Sequence, residues 1–520
     1  MDNAALAERL EAFAALLDLN GSGYYTVRAY RRAADLIRST PADVGALVRQ
    51  GRVRELAGVG PGIETRLREL VETGRIAELD ELEAQALPQL VGVARLLGLS
   101  TRRMRELGHA LGIRTVDELR EAAAAGTLDS VPGIGPKTAA RFERGLAELS
   151  SARPRRGMLL NRARTLVGEV ADALGGEPAG DPRRACELST HFAVVVPSDT
   201  VLHAVAGLPQ VVAILEQDER RVVGVTADGY PLEVIAATPE TWEAELVRAT
   251  GSAEWLAVHP ELPDPLPPPE LREVDAPAPP PDLLELSHVR GDLHVHTTAS
   301  DGKASVLEMG RAAQALGYEY LAICDHTRNV RVVPGLDADD LRRQAVEIAA
   351  ANEVLAPFRV LRGSECDILP DGSLDLPDDV LAELDWVQIS LHAGQRAPRH
   401  ALTERVLEAM RHPAASCLSH PKGRILNHRP ENALDLDRVF AAALETGVAL
   451  EVNGLPDRLD LSGAHVREAI AAGVPIVCST DAHSVRGLGN MALSVATARR
   501  GAAPRGAVLN TLPLEELLRR

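Results

Sequence analysis

Cysteine and lysine are both scarce in this chain. The five cysteines among 520 residues are scattered, and no two are spaced as C-x-x-C. This excludes a zinc ribbon and a disulfide framework, and it favours a reducing compartment. Only three lysines occur, and none precedes Lys137. Since a Schiff base requires a lysine amine, that chemistry is excluded from the part of the chain before Lys137.

Long apolar runs and net positive charge are also missing. No stretch of about 18 apolar residues occurs, and MDNAALAERL is unlike a signal peptide, so we expect a cytoplasmic protein with no membrane partner. The net charge of -18 discourages non-specific binding of nucleic acid over the whole surface. Over residues 1–170, however, Lys and Arg outnumber Asp and Glu by three, so a polyanion is expected to bind there.

Seven segments of the C-terminal half combine a short apolar run with a polar turn: GDLHVHTTASDG, LAICDHT, RVLRGSECDI, WVQISLH, SCLSHP, ALEVNG and IVCSTDAHS. Each run is typical of a buried parallel strand, and most are followed by helical spacing. The strands of a β/α barrel end on one rim, so these turns are expected to converge. They carry nine residues that can bind metal: His294, His296, Asp301, His326, Glu365, His392, His420, Asp481 and His483.

The composition of this set indicates the kind of site. One histidine at a strand end is more often a satisfied core residue than a ligand, but six of the seven predicted strands end in a residue that can bind metal, five of them in histidine. Imidazoles mixed with carboxylates, without a thiolate, suit Zn²⁺, Mn²⁺ or Fe²⁺ in an open site rather than a closed structural zinc site. The C-terminal half is therefore predicted to be a multinuclear metal hydrolase.

The order and spacing of H-x-H, D-H, the lone Glu, S-L-H, S-H-P and D-A-H resemble the PHP (polymerase and histidinol phosphatase) superfamily. The resemblance implies a distorted seven-stranded β/α barrel that cleaves phosphoesters with two or three divalent ions, zinc or manganese, with iron as a further option. It implies one ion held by His294, His296, Glu365 and Asp481, a second bridged by Glu365 and held by His392 and His420, and a third held by Asp301, His326 and His483.

Beyond the ligands, basic side chains follow the fifth predicted strand in HPKGRILNHR. A guanidinium matches phosphate geometry, so Arg424 and Arg429 are candidates for binding substrate phosphate, with a solvated surface cation as the alternative for each. We predict Glu365, His392, Asp481 and Arg424 as the catalytic residues. Asn453, beside Glu451, is expected to face the pocket or to orient a ligand.

Two glycine-rich turns lie in the N-terminal third, LAGVGPGIETRL at residues 56–67 and SVPGIGPKTAARF at residues 130–142. A G-x-G turn before a helix lets backbone N–H groups approach an anion. The pattern is similar to the helix–hairpin–helix, which contacts a DNA phosphate without reading sequence; a tight turn without a ligand is the alternative. The predicted DNA-backbone contacts are Gly58, Gly60, Gly62, Gly133, Gly135 and Lys137.

With the hairpins in place, the whole chain resembles bacterial DNA polymerase family X with a C-terminal PHP domain. The resemblance implies a lyase-like helical domain with a helix–hairpin–helix (1–80), a helical fingers-like region with a second one (81–152), an α+β palm (153–256), a Pro-rich linker (257–288) and the PHP barrel (289–520). The sequence leaves the oligomeric state open.

The palm departs from the family pattern. In GDPRRACELSTHFAVVV the phosphate-binding Ser is replaced by Asp181, and the two D-x-D aspartates fall on His191 and Ala193. Only Glu233 stands for a third carboxylate, and a Pro-rich linker follows where the family continues into a thumb. Nucleotide transfer needs two Mg²⁺ held by carboxylates, so polymerase activity is predicted to be lost, as is lyase activity for want of a lysine.

These observations predict a DNA-binding, metal-dependent phosphoesterase associated with the nucleoid. The resemblance implies a 3'-5' exonuclease, or a 3'-end processing or abasic-site nuclease in DNA repair. A small-molecule phosphomonoesterase of the histidinol phosphatase type is one alternative, because both branches share the metal set. A non-catalytic DNA-binding scaffold with structural metals is the other, and the open His–carboxylate set disfavours it.

Overall fold

The computed structural model describes residues 3–19, 22–40, 42–56, 58–132, 134–147, 149, 156–330 and 333–519, so Gly133 of the second glycine-rich turn lies outside the described residues. The chain divides into two compact units. The first comprises Met1–Arg155 and Thr200–Val234, and the second comprises Arg156–Asp199 and Ile235–Arg520. The five domain boundaries read from the sequence stay predictions.

The α-helices follow one another along the chain as α1 (Asn3–Leu19), α2 (Tyr24–Ser39), α3 (Val44–Arg49), α4 (Pro61–Thr73), α5 (Ala77–Gln85), α6 (Pro88–Leu96), α7 (Thr101–Leu111), α8 (Val116–Ala124), α9 (Pro136–Ala147), α10 (Leu160–Leu174), α11 (Gly180–Arg183), α12 (Trp242–Thr250), α13 (Ala253–Val258), α14 (Val306–Ala315), α15 (Ala338–Leu355), α16 (Asp378–Leu381), α17 (Arg399–Met410), α18 (Leu436–Thr446), α19 (Gly463–Ala472), α20 (Met491–Arg500) and α21 (Leu514–Leu517).

The strands are β1 (Met158–Leu159), β2 (Glu177–Ala179), β3 (Leu188–Ser189), β4 (Phe192–Val196), β5 (Ala213–Gln217), β6 (Arg221–Val225), β7 (Pro231–Ala236), β8 (Gly291–Val295), β9 (Tyr320–Ile323), β10 (Arg359–Asp367), β11 (Trp386–Ser390), β12 (Cys417–Leu418), β13 (Ala449–Asn453) and β14 (Ile476–Ser479). The predicted fold class, a helical N-terminal region, a mixed α/β middle and a C-terminal seven-stranded barrel, is confirmed.

The first unit contains two apolar cores. The apolar faces of α1 to α5 enclose one core, in which Phe13, Ile37 and Leu70 are buried. The second core joins α6 to α9 with the antiparallel pair β5–β6, and it contains Leu107, Phe142 and other side chains of that region. Small residues permit close packing here: a Cβ at Gly108 would lie 2.6 Å from the side chains of Leu87 and Leu90.

Both glycine-rich turns form helical hairpins. In the first, which joins α3 to α4, Gly58 has a φ of +104°, a conformation open to glycine, and Val59 N donates to Leu56 O at 3.1 Å. In the second, between α8 and α9, Ile134 N makes the equivalent bond to Val131 O at 3.0 Å. Pro61 and Pro136 open the second helix of each hairpin, where a missing N–H costs nothing.

The second unit is built around a parallel sheet of seven strands in the order β8-β9-β10-β11-β12-β13-β14. Every residue of β8, β9, β11, β13 and β14 is buried, which explains their continuous apolar runs. A parallel bridge between Val295 and Ala482 links the two edge strands, so the sheet is a nearly closed barrel. All carboxyl ends therefore lie on one rim.

Within this unit, β2 pairs with β4 and β1 with β3, both antiparallel. Leu160 and Ala185 share an apolar cluster with Leu426, Leu459 and Leu493 of the barrel. Residues 259–288, all of them described, contain no α-helix, and the Pro-rich linker at 257–288 stays a prediction. None of the helices in the described ranges is both long and apolar enough to cross a membrane.

Candidate metal centre

The barrel rim brings the nine predicted ligands together. His294 and Glu365 lie within β8 and β10, and the others stand in the loops that directly follow a strand. Three groups have their ligand atoms within 4.8 Å of one another: His294, His296 and Asp481; His326, Glu365 and His392; and His296, Asp301, His326 and His483. His420 joins the second group, since its Nε2 lies 2.9 Å from Glu365 Oε1.

Glu365 occupies the middle of this arrangement. Its Oε2 is 3.5 Å from His294 Nε2 and 2.8 Å from His326 Nδ1, while its Oε1 is 3.4 Å from His392 Nε2. The side chain is 1% exposed, so it is a buried carboxylate shared between neighbouring groups of imidazoles. This placement is compatible with the bridging role predicted for Glu365.

Two histidines lie between groups that the PHP resemblance assigns to separate ions. His296 Nε2 is 3.1 Å from Asp481 Oδ1, and its Nδ1 is 3.9 Å from Asp301 Oδ1. His326 has Nδ1 toward Glu365 and Nε2 3.7 Å from Asp301 Oδ1. The predicted division of ligands among three ions stays a prediction, and His326 is equally placed to serve the second ion.

The outer nitrogens of three rings are held by oxygen atoms. His294 Nδ1 lies 2.6 Å from Glu451 Oε1, His392 Nδ1 lies 2.8 Å from Asp367 Oδ1, and His483 Nδ1 lies 2.8 Å from the backbone oxygen of Asp481. An outer N–H donating to oxygen leaves the Nε2 lone pair directed into the cluster. This is the orientation in which proteins present histidine to a metal ion.

The residues present fit divalent ions. His296 Nδ1 is buried, has no hydrogen-bond partner among the described residues, and is too far from Asp301 for one. Ligand atoms that are each about 2.1 Å from a shared ion lie roughly 3–4 Å apart, and the distances between Asp301, His296 and His326 fall in that range. The positive φ of His420 and Asp481 (27° and 52°) shows backbone strain at two of these positions, as is common at functional sites.

The electrostatics of the cluster favour cations. Burial opposes the charge of His294, yet Glu451, Asp481 and Glu365 raise its pKa well above the usual value. Burial also opposes the charge of His392 and His483. Even so, Glu365 raises the pKa of His392 to about 10, and Asp301 raises the pKa of His483 to about 9. Burial and the neighbouring His326 lower the pKa of His296 to about 4. The carboxylates thus stabilise positive charge within the cluster. Bound metal ions would supply that charge in place of protons on the imidazoles.

Glu451 is a functional candidate that the sequence reasoning did not single out. It is fully buried on β13 and accepts from His294 Nδ1, His420 N (2.7 Å), Ser419 Oγ (3.0 Å) and Asn453 Nδ2 (3.2 Å). Asn453 also donates to Asp481 at 3.0 Å, so it orients a ligand, one of the two roles expected for it. The feature of the sequence that could have indicated a role for Glu451 is its position at the end of a predicted strand.

Asp325 and Arg458 are two further functional candidates that the sequence patterns did not indicate. Asp325, buried after β9, accepts from Thr297 N (2.8 Å) and from Ser300, and it thereby ties the Asp301 loop to the barrel. Arg458 Nε lies 4.0 Å from Asp481 Oδ2, and Asp481 and Glu365 raise the pKa of this largely buried guanidinium against the effect of burial. It is a cation at the edge of the cluster.

The two candidate arginines after the fifth barrel strand, Arg424 and Arg429, are engaged in contacts within the chain. The Arg424 guanidinium is 7% exposed. It donates to both carboxylate oxygens of Glu187 (2.9 and 2.6 Å) and to the backbone oxygen of Arg458 (3.0 Å). A phosphate could reach it only if the Glu187 pair opened, so the catalytic role of Arg424 stays a prediction without support from this geometry. Arg429 donates to the Gly423 oxygen at 2.8 Å.

The predicted DNA contacts that the structure describes lie at the hairpin turns. Gly58, Gly62, Gly135 and Lys137 are exposed, and Gly60 caps α4. A Cβ at Gly58, Gly60 or Gly135 would meet nothing within 4 Å, so a phosphate has room to approach the backbone. Their contact with DNA stays a prediction.

The palm positions carry no metal cluster among the described residues. Asp181 is 6% exposed and accepts from Arg184 (2.5 Å), Thr190 N (2.7 Å) and His191 N (2.9 Å). Ala193 is buried in β4 without a carboxylate, and Glu233 on β7 pairs with Arg221. Each carboxylate present therefore neutralises an arginine of the chain.

Known protein families match three separate parts of this chain. Family models match a helix-hairpin-helix domain at residues 1–76, a SAM-like helix-hairpin-helix tandem at residues 93–142 and a PHP domain at residues 292–454. The nearly closed parallel barrel with its rim of imidazoles and carboxylates is therefore that of a PHP domain, joined to helix–hairpin–helix domains.

Similarity to one relative covers almost the whole chain rather than the barrel alone. The "DNA polymerase/3'-5' exonuclease PolX" of Bacillus subtilis (strain 168) is 30% identical, over 98% of this chain and 97% of its own. The chain belongs to the bacterial PolX family of DNA polymerase family X proteins. A protein named "Probable phosphatase" from Acetivibrio thermocellus is 32% identical over 37% of this chain and 78% of its own. A solved structure, of a histidinol phosphatase candidate, hisK, from Listeria monocytogenes, covers 38% of this chain and 97% of its own at 16% identity, with a TM-score of 0.32.

Proposed function

We propose that this protein is a DNA-tethered, metal-dependent phosphoesterase that acts as a 3'-5' exonuclease, or as a 3'-end processing or abasic-site nuclease in DNA repair, on nucleoid DNA in the cytoplasm. The observation that carries the proposal is a contrast within one chain. All nine predicted ligands converge on the barrel rim, whereas the palm has His191 and Ala193 where a polymerase needs aspartates. The printed name of the Bacillus subtilis relative includes a 3'-5' exonuclease.

In this proposal His294, His296, Glu365 and Asp481 hold one divalent ion, and the remaining five ligands hold one or two more. Zinc and manganese both suit imidazole mixed with carboxylate, and iron is a third option. When bound, such ions lower the pKa of water and neutralise charge on the phosphoryl oxygens.

The residues around the ligands set the geometry of the reaction. Glu451 and Asp367 fix the ring orientations of His294 and His392, while Asp325 fixes the loop that carries Asp301. Arg458, beside Asp481, is placed to attract a phosphate. The hairpin turns at Gly60 and Gly135 hold the DNA backbone without reading its sequence. Polymerase and Schiff-base lyase activities are absent in this proposal.

The decisive experiment compares the wild-type protein with His392→Ala on 3'-labelled and 5'-labelled single-stranded and gapped DNA, with Mn²⁺ or Zn²⁺. We expect a stepwise ladder from the 3' end that is lost in His392→Ala. His412→Ala is the matched control, because His412 follows α17 at the opposite, amino-terminal end of the barrel strands and pairs with Asp378. Full nuclease activity in His392→Ala would refute the proposal.

A small-molecule phosphomonoesterase is the second candidate, because the relatives named as phosphatases match about the length of the barrel. The same preparations should therefore be tested on a small phosphomonoester. Brisk hydrolysis of that substrate, with no cleavage of DNA under either metal, would favour the second candidate and leave the hairpins without a role.

A further inference from the structure

The metal cluster opens to solvent on one side. Most of its side chains are almost fully buried: Glu365 is 1% exposed and His294 and His296 are inaccessible. Asp301 and His483, by contrast, have side chains that are 23% and 30% exposed, and their Oδ2 and Nε2 atoms lie 3.2 Å apart. A substrate that reaches the ions must therefore pass these two residues or His392, which is 18% exposed.

An open groove of about 630 Å³ is lined by the residues that follow Asp301 and His483 in these two loops. Its walls include Lys303, two residues after Asp301, and Arg486, three residues after His483. The two loops are joined, because Lys303 N donates to the His483 oxygen at 2.9 Å. Since two or three extended residues span at most about 7–11 Å, both cations stand close to the exposed ligands.

Helix α14 also lines this groove, through Glu308, Arg311 and Ala312. Its apolar side packs in one core cluster with Ala482 and Leu488 of the loop after β14, which keeps the two walls together. On its outer side Arg311 is exposed and lines the groove. The cations thus come from three separate chain segments held by one core.

The charge of the groove is opposite to that of the whole chain. Three cations line it, together with one carboxylate, Glu308, and the net charge of the protein is -18. Glu308 is engaged in the capping box of α14, where its Oε2 accepts from Ser305 N at 2.8 Å. Its negative charge is held toward the helix N-terminus. A positive groove beside a phosphoesterase cluster favours a polyanion.

We propose that this groove, lined by Lys303, Arg311 and Arg486, binds the backbone phosphates of a single polynucleotide strand whose terminal phosphodiester lies at the metal cluster. The inference rests on the proposed function and deepens it, since it gives the barrel itself a surface for a strand, apart from the hairpins. A small phosphomonoester fills the cluster without reaching the groove. A strand of several nucleotides that leaves past Asp301 and His483 lies next to the three cations.

The test uses the full-length, metal-loaded protein and the triple variant Lys303→Ala, Arg311→Ala, Arg486→Ala. Two substrates are compared: a single-stranded oligonucleotide, and the p-nitrophenyl ester of thymidine 5'-monophosphate, a phosphodiester with one nucleotide. Arg359→Ala is the matched control, because Arg359 is an exposed cation on the first residue of β10, at the other end of the barrel.

We expect the triple variant to raise the KM for the oligonucleotide by roughly tenfold, while kcat/KM for the nucleotide ester stays within about twofold of wild type. The slope of log(kcat/KM) against log[NaCl] for the oligonucleotide should become less negative by about two, since each phosphate contact to a single strand contributes roughly -0.7. Arg359→Ala should change neither value.

Three other outcomes would overturn the inference. Unchanged oligonucleotide kinetics would show that the strand takes another path, and an equal loss on both substrates would show that these residues support the cluster rather than bind the strand. In either case the proposed nuclease function would stand. A wild-type protein that cleaves the nucleotide ester but no oligonucleotide would overturn the proposed function, and this inference would fall with it.

Discussion

Replacing Glu451 by glutamine should weaken metal binding although it changes neither the size nor the shape of the side chain. The two carboxylate oxygens face different donors: Oε1 accepts from His294 Nδ1 and Ser479 Oγ, and Oε2 accepts from His420 N, Ser419 Oγ and Asn453 Nδ2. An amide replaces one of these acceptors by an N–H₂ group. Because the residue is fully buried, water cannot repair the mismatch.

Both orientations of the amide are unfavourable. With the N–H₂ group toward His294, that ring must accept on Nδ1 and carry its proton on Nε2, which then cannot bind a metal. With the N–H₂ group on the other side, the His420 N–H loses its acceptor, and an unsatisfied buried donor costs about 1–3 kcal/mol. Losing such a support for a metal ligand typically lowers affinity by roughly 10- to 100-fold, or about 1.4–2.7 kcal/mol.

The assay is a titration with Zn²⁺ or Mn²⁺ against a chromophoric chelator, with thermal unfolding of the metal-free proteins as a check on the fold. Glu445→Gln is the matched control, because Glu445 is exposed on the same helix–strand unit, near the end of α18. We expect Glu451→Gln to weaken the tightest ion by roughly tenfold or more. Affinity equal to that of Glu445→Gln would refute the role assigned to Glu451.

Three further predictions follow from the same structure. Arg424→Ala should lower the free energy of unfolding by roughly 3 kcal/mol, since it leaves Glu187 without its partner; a urea titration that shows a loss below about 1 kcal/mol would contradict this. Metal affinity should rise from pH 6 toward pH 9, because the pKa values of His392 (about 10) and His483 (about 9) mean that both rings must lose a proton before they bind; calorimetry in two buffers at pH 7 should detect protons released, and a pH-independent affinity would be the contrary result. Primer extension with Mg²⁺ and deoxynucleotides should be undetectable, and extension that Glu233→Ala abolishes would show instead that the palm is active.

The barrel and its rim could be predicted from the sequence because they depend on local patterns. A buried parallel strand reads as a short apolar run, and its carboxyl end lies on the same rim as its neighbours whatever side chains follow. For that reason His294, His392 and Asp481, which are far apart in the chain, could be assigned to one place. The division of ligands among the ions depends on which ring nitrogen faces which carboxylate, and His326 shows that one ring can face two groups.

The supporting residues could not be predicted in the same way. Glu451 acts on His294 and on His420, which are 157 and 31 residues away in the chain, so its role follows from tertiary packing rather than from spacing. Arg424 illustrates the complementary problem. The planar guanidinium that suits a phosphate suits a carboxylate equally well, and here the carboxylate of Glu187 takes both of its terminal nitrogens.

Asp181 gives a physical reason why the segment predicted to be a palm can fold without a bound nucleotide. The donors that surround its carboxylate, Arg184 and the N–H groups of Thr190 and His191, are those that would otherwise need a bound anion. Because the chain supplies that anion itself, they are satisfied without nucleotide and a triphosphate would be repelled. The segment is also tied to the barrel, since Arg500 pairs with Glu273 and donates to the Arg184 oxygen. Its arginines and carboxylates therefore stabilise the unit that carries the metal cluster, and this structural role does not depend on catalysis in the segment itself.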